Sequence, residues 1–143
     1  MFGHLQVYSC FSFQNSTILI KDLIAEAKNK NIEALAICDD NNMFGALEFS
    51  EECLKHGIKP IFGLEASVRI EGEIYPLFLY AIDDIGYFDL VKICCDINLN
   101  DDKSIDLESL SLYKEHLYIM SGSEKGIVER LVAKEMEEEA IRY

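Results

Sequence analysis

The fold of this chain is decided by the stretch Ala34–Phe49, which reads ALAICDDNNMFGALEF. Its first five residues are small or apolar without interruption, and such a run predicts a buried β-strand. Apolar residues then recur at helical spacing from Met43 onward, so the polar run 39–42 is a short loop between a strand and a helix. Ligands usually bind just beyond the carboxyl ends of parallel strands in α/β folds, and this loop is therefore the first candidate for a site.

The rest of the chain continues the alternation of strands and helices. Further strands are predicted over residues 4–9, 59–70, 74–82 and 116–120. Helices are predicted after a cap at Ser16 or Thr17, over 43–56 with a stop at Gly57, after Gly86, and over 107–112, 126–134 and 135–139. This order predicts an α/β fold with a mostly parallel sheet or an incomplete barrel, in which strands 59–70 and 74–82 form a hairpin. The 143 residues amount to one domain, or to a piece of a longer protein.

The composition excludes several classes of protein. The net charge is −13, from 26 acidic and 13 basic residues, which argues against the isolated chain binding a phosphate backbone. No stretch approaches the roughly 18 apolar residues of a membrane span, and no basic segment precedes an apolar one at the N-terminus, so we expect a cytoplasmic protein. The five cysteines include no CxxC spacing, which favours reduced thiols over disulfides or a zinc site.

Carboxylates at strand positions are the candidate site residues. Asp39 and Asp40 end the second predicted strand, and Glu65 interrupts the apolar run of the third, where a carboxylate is costly unless it is paired or bound to metal. Together they have the oxygen ligands that Mg²⁺ or Mn²⁺ prefers, but they could equally accept hydrogen bonds from backbone N–H groups. A phosphoacceptor carboxylate would need a downstream lysine that the fourth predicted strand lacks. The three histidines, His4, His56 and His116, are too dispersed for a metal cluster.

Six stretches of the chain form a pattern that covers almost its whole length. They are HLQVYS (4–9), IKDLIAEA (20–27), ALAICDDNNMFGALEF (34–49), GIKPIFGLEA (57–66), LYAIDDIGY (79–87) and LYIMSG (117–122). In these stretches the chain resembles the N-terminal PHP (polymerase and histidinol phosphatase) domain of bacterial DNA polymerase III alpha subunits. The segments NMFGA and GIKPIFG are specific to that polymerase branch of the family.

This resemblance implies a PHP-type distorted (β/α)7 barrel, incomplete in this chain, whose metal-binding members hold a multinuclear centre with mostly histidine ligands. At the positions that correspond to metal ligands of the family, only Glu65 is unchanged. We call these the vestigial positions; they are Gln6, Tyr8, Asn15, Asp40, Glu65, Pro76 and Ser123. The last ligands of the family would lie beyond Tyr143. Amide, phenol, proline and hydroxyl groups do not replace imidazole donors, so we expect no catalytic residue and no cofactor. A single weakly held Mg²⁺ at Asp40 and Glu65 is the metal site left open.

The resemblance implies a role in DNA replication. The expected function is that of a structural and interaction module, residues 1–143, in a longer polymerase whose nucleotide transfer is carried out elsewhere and whose PHP hydrolysis is lost. The alternatives are a metal-dependent phosphoesterase or 3′–5′ proofreading exonuclease, and a stand-alone regulatory protein. The expected partners are the remaining domains of the alpha subunit and other replisome proteins. An incomplete barrel leaves an open sheet edge, so we also expect a homo-oligomer when the chain is isolated.

Overall fold

The computed structural model describes residues 3–143, with the side chain of Ser123 left out of the description. The strands are β1 (Ala34–Asp40), β2 (Lys59–Ile70), β3 (Glu73–Ala81), β4 (Ile105–Asp106) and β5 (Leu117–Ser121). The helices are α1 (Ile20–Asn29), α2 (Ala46–His56), α3 (Asp84–Leu99), α4 (Leu107–Leu110), α5 (Ile127–Ala133) and α6 (Glu137–Ala140). Short 3₁₀ turns lie at Ser111–His116 and Ser123–Lys125. None of the helices in residues 3–143 has the length and apolar character needed to span a membrane.

The strands form one mixed sheet in the order β1-β2-β3-β5. β1 runs parallel to β2, whereas β3 runs antiparallel to both β2 and β5. The predicted mostly parallel sheet is therefore wrong, because the hairpin reverses the chain in the middle of the sheet. That hairpin turns through Glu71 and Gly72, whose φ angles are 52° and 87° and suit a tight two-residue turn. The short β4 pairs in parallel with β2 at Val68 and Arg69, beyond the end of β1.

Most predicted elements are confirmed with small shifts at their ends. β2 has the predicted bounds, and α2 starts a few residues later than predicted but ends as predicted at His56, before Gly57 with its left-handed φ of 70°. The predicted strand over residues 4–9 is wrong: this segment lies beside β1 and accepts hydrogen bonds from Ala36 N–H and Cys38 N–H, but it is not a strand of the sheet. The predicted cap of α1 is also wrong, because that helix begins after Leu19.

The two faces of the sheet have different roles. On one face alternate residues of β2 and β3 pack against α3, and those of β1 pack against α1 and α2; this core includes Leu35, Ile37, Phe49, Leu64, Val68, Leu79, Leu90 and Ile93. Each such side chain contributes about 1.5–3 kcal/mol by leaving water. The opposite face, which we call the inner face, carries Cys38 and Tyr80 at its centre. A Cβ at Gly63 would lie 2.7 Å from the Tyr80 ring, so the glycine lets this ring lie on the sheet.

Candidate functional site

Asp39 is held in the structure as a buried acceptor of hydrogen bonds. Its carboxylate is 3% exposed and accepts three bonds, from Ser9 N–H at 2.7 Å, Ser9 Oγ at 2.7 Å and Ser12 Oγ at 2.6 Å. Successive residues of a strand point to opposite faces, so Asp39 and Asp40 are separated although they are adjacent in sequence. Of the two roles that the sequence left open, Asp39 therefore has the structural one: it anchors the loop 9–12 to the end of β1.

Asp40 and Glu65 lie side by side on the inner face, and we call them the carboxylate pair. They are opposite each other in the register of β1 and β2. Asn15 Nδ2 lies 3.4 Å from Asp40 Oδ2, a long hydrogen bond, while Tyr8 packs on the inner face and its phenol influences the pKa of Glu65. The structure thus brings together four of the vestigial positions from four different places in the sequence.

Burial controls the protonation of this cluster. It raises the pKa of Asp40, and the negative charge of Asp39 adds to the effect. Burial also raises the pKa of Glu65; the hydrogen bond from Tyr8 opposes that shift and the charge of Asp40 adds to it. The pKa of Tyr8 is raised by burial and by its bond to Glu65, so its phenol stays protonated and acts as a donor rather than as an anionic ligand.

The inner face below the carboxylate pair is chemically inert. Burial raises the pKa of the Cys38 thiol to about 12, and it also raises that of the Tyr80 phenol, whose hydroxyl donates to Leu5 O at 3.2 Å. A thiol that stays protonated is a poor nucleophile and a poor metal ligand. Cys38 is therefore part of the packing of this face and not a second reactive group.

The loop after β1 uses its amide side chains to fix the backbone. Asn41, at a positive φ of 50°, donates its N–H to Glu65 O at 2.8 Å. Its side chain then accepts from Ser67 N–H at 2.9 Å and donates to Ser67 Oγ at 2.8 Å, which fills the gap on the edge of β2 between β1 and β4. Asn42 Nδ2 donates to Asp40 O at 2.9 Å. These amides lie where the sequence predicted a ligand site, but they are used to hold the loop.

The remaining vestigial positions are less closely gathered. Gln6 is exposed on the segment before β1. Pro76 lies opposite Ser67 in β3, one residue beyond the point where the β3–β5 ladder ends, so its missing N–H leaves no gap in the sheet. Ser123 begins the 3₁₀ turn after β5, and its side chain lies outside the described part of the chain.

One site residue was missed by the sequence analysis. Lys125 ends the 3₁₀ turn after β5, and its positive charge lowers the pKa of both Asp40 and Glu65, against the effect of burial. The only signal in the sequence was its position two residues after Ser123, in a turn that the resemblance had already assigned to the site.

The residues present do not fit a multinuclear metal centre. His56 and His116 are used elsewhere: His56 Nδ1 lies 2.9 Å from Glu52 O, and His116 Nδ1 lies 2.8 Å from Asp83 Oδ2. Within residues 3–143 as described, no three His, Cys, Asp or Glu side chains come together in a way that could hold a metal ion. The vestigial cluster offers a protonated phenol, an amide and two carboxylates, a donor set unlike the imidazole-rich sites that hold zinc or manganese.

Comparisons with known proteins place the chain in a family. The sequence model of the PHP domain matches residues 4–143. The chain is 36% identical over 142 residues to the DNA polymerase III subunit alpha of Bacillus subtilis, and 33% identical over 153 residues to that of Borreliella burgdorferi. In both cases the match covers 97% of this chain but only 13% of the relative. The chain therefore spans about an eighth of the length of these relatives.

Two solved structures share the fold. One is an amidohydrolase from Chromobacterium violaceum with bound sulfate and no metal, which has a TM-score of 0.51 and 20% identity over 63% of this chain and 32% of that one. The other is from Bifidobacterium adolescentis and is described as a candidate metal-dependent phosphoesterase; it has a TM-score of 0.50 and 18% identity over 99% of this chain and 51% of that one. These likenesses agree with a PHP-type α/β barrel, of which the described sheet is an open part. On the match of its sequence over residues 4–143, the chain belongs to the PHP domain family.

Proposed function

We propose that the chain is the PHP module of a bacterial DNA polymerase III alpha subunit and that it acts there as a structural and interaction module without metal-dependent hydrolysis. The similarity to two alpha subunits over 97% of the chain supports the first part. The loss of hydrolysis is supported by one observation above all: the cluster around the carboxylate pair offers the amide of Asn15 and the phenol of Tyr8 where the family has metal ligands. Burial raises the pKa of the Tyr8 phenol, so it stays protonated and is not an anionic ligand for a cation.

The proposed partners follow from this assignment. They are the remaining domains of the alpha subunit, with 1–143 forming one part of a longer chain, and other replisome proteins in the cytoplasm. Contact with DNA by this segment alone is disfavoured by its net charge of −13. The reading frame that follows Tyr143 tests the assignment directly. We expect it to encode polymerase segments with catalytic aspartates, and a stop codon directly after Tyr143 would contradict it.

The second candidate function is a metal-dependent phosphoesterase or 3′–5′ exonuclease. It is favoured by the retained Glu65, which lies beside Asp40, and by the likeness to a structure described as a candidate phosphoesterase. Metal analysis of the purified chain and assays with Mn²⁺, p-nitrophenyl phosphate and a single-stranded oligonucleotide separate the two candidates. We expect the same background turnover for the wild type and for Glu65→Gln. More than one tightly bound metal ion per chain, or turnover that Glu65→Gln abolishes, would establish the hydrolase instead.

We also propose that the isolated chain self-associates through the edge of β5. The segment Leu117–Ser121 carries no charge, and Tyr118, Ile119 and Met120 are 67%, 43% and 40% exposed. An uncharged edge strand with apolar side chains is a template for pairing with a second copy. Light scattering should show a dimer or a larger oligomer, which Ile119→Lys shifts toward monomer and the control Leu112→Lys, on an exposed turn, does not. A monodisperse wild-type monomer would refute this pairing.

A further inference from the structure

A cavity of about 370 Å³ lies on the core side of the sheet, between the segment that follows β4 and the segment that follows β5. Residues of β2, β3 and β5 line it from the sheet, and the other walls come from residues 107–114 and 128–143. Leu77 and Ser121 lie opposite each other in the β3–β5 ladder, so both side chains are on the face that packs against α3. The cavity is therefore separate from the carboxylate pair, which lies on the inner face, and its volume is within the range of small-molecule sites.

The apolar part of the cavity lining is only partly covered by the protein. Ile70, Leu77 and Leu110 line it as buried members of the main core. Leu107 and Ile119 line it too, but their side chains are 39% and 43% exposed. A ligand with an apolar body that lies against these side chains would remove their surface from water, and this burial would favour binding.

The charged residues of the lining have the sign opposite to that of the chain as a whole. Lys114 and Arg142 line the cavity, and among the described residues no aspartate or glutamate does so. The chain has 26 acidic and 13 basic residues, so this wall is a local reversal of charge. Neither cation forms an ion pair with another described residue. The Glu129 carboxylate accepts a hydrogen bond from Ser121 Oγ at 2.5 Å but does not line the cavity.

We propose that this cavity is a binding site for a small amphipathic carboxylate. The carboxylate group pairs with Lys114 and Arg142, and the apolar body lies against Leu77 and Leu110. Ammonium and guanidinium groups both donate charge-assisted hydrogen bonds to a carboxylate, and the long stems of these side chains keep the charged ends near water while they cover apolar surface. This combination of an apolar lining with a few convergent polar groups is typical of small-molecule sites. The inference goes beyond the proposed function and does not depend on it.

The test is a titration of the ¹⁵N-labelled chain with octanoate and with octylammonium, followed by amide NMR spectra. The two probes share the apolar body and differ in the sign of the head-group charge. We expect the wild type to bind octanoate on the order of tenfold more tightly than octylammonium, because two cations face the carboxylate. The net charge of −13 by itself favours the cationic probe, so a preference for octanoate must come from a local site. The largest shifts should lie at Leu77, Leu110 and Ser121.

Single substitutions assign the preference to the two cations. Lys114→Met and Arg142→Met each remove one charge and keep an apolar stem, and each should weaken octanoate binding by about fivefold. The double variant should lose the preference for octanoate over octylammonium. Lys21→Met makes the same change of net charge in α1, which packs with β1 at the opposite edge of the sheet from β5, and should stay within about twofold of the wild type.

Three results would overturn the proposal. The first is a wild type that shows no saturable binding of octanoate, or that binds octylammonium as tightly. The second is octanoate binding by Lys114→Met and Arg142→Met that equals that of Lys21→Met. The third is a set of shifts confined to the larger cavity that Tyr87 and Tyr118 line. All three substituted side chains are exposed, so we expect the variants to fold, and the amide spectrum of each one verifies this.

Discussion

Replacement of Asp39 and Asp40 by asparagine, one at a time, should have opposite consequences although the two residues are adjacent. Asp39 accepts three short hydrogen bonds in a buried site. Asparagine keeps an oxygen that can accept from Ser9 N–H and Ser12 Oγ, but its NH₂ group replaces the oxygen that accepts from Ser9 Oγ. The Ser9 hydroxyl must then rotate and accept a hydrogen bond from that NH₂ group. A hydrogen bond to a charged group contributes about 1.5–3 kcal/mol to stability and a neutral one about 1 kcal/mol. Asp39→Asn weakens three such bonds but also removes the cost of burying a charge, so we expect a net loss of about 2 kcal/mol in the free energy of unfolding.

Asp40→Asn is the matched control. Asp40 accepts one long bond, from Asn15 at 3.4 Å, and burial opposes its charge, so its neutral isostere should change the free energy of unfolding by no more than about 0.5 kcal/mol. Urea unfolding at pH 7, followed by far-UV circular dichroism, measures both values from the midpoint and slope. The reasoning is refuted if Asp39→Asn is within 0.5 kcal/mol of the wild type, or if the two variants lose equal stability.

Two further predictions concern the pH dependence and the backbone. The pKa values of Asp40 and Glu65 are raised in the folded state, so protonation of these carboxyl groups favours folding. As the pH falls from 7, the wild type should therefore gain stability relative to the double variant Asp40→Asn/Glu65→Gln, with the full gain below the ordinary pKa values of 3.8 and 4.5. A constant difference in stability between pH 7 and pH 4 would contradict this. Gly86→Ala places a Cβ 2.1 Å from His116 O and should cost about 3 kcal/mol, whereas Gly57→Ala has open space at a φ of 70° and should cost about 1 kcal/mol. Urea midpoints check this pair, and equal losses would count against the clash.

The elements that local pattern determines were predictable from the sequence. β2 combines alternating burial with a proline at its second residue, and α2 ends at a glycine, so each carries its own boundary signal. Residues 4–9 alternate in the same way but do not form a strand, because the bonds from Ala36 N–H and Cys38 N–H reach His4 O and Val7 O, which are three residues apart and not the two of a regular ladder. β4 has two residues and therefore no period to detect.

Strand direction and the site depend on distant parts of the chain. The connection from β3 to β5 passes through α3, β4 and α4, but β5 is antiparallel to β3, and no local pattern marks that direction. The sequence analysis grouped Asp39 with Asp40 and Glu65, but the alternation of a strand places Asp39 and Asp40 on opposite faces, so only Asp40 and Glu65 lie together. The effect of the Lys125 charge on the pKa of Asp40 and Glu65 was not foreseeable, because it depends on where the turn after β5 lies in the folded chain.

The hydrogen bond between the Asn41 side chain and the backbone of Ser67 makes the Ser67 N–H a hydrogen-exchange reporter for the loop after β1. The Ser67 N–H lies within β2, but its acceptor is the Asn41 side chain and not another strand. Its hydrogen-exchange rate should therefore follow the opening of the loop after β1, while the amides on either side that bond to neighbouring strands follow the unfolding of the sheet. A single backbone proton thus gives access to the motion of the polypeptide beside the carboxylates without any label or substitution.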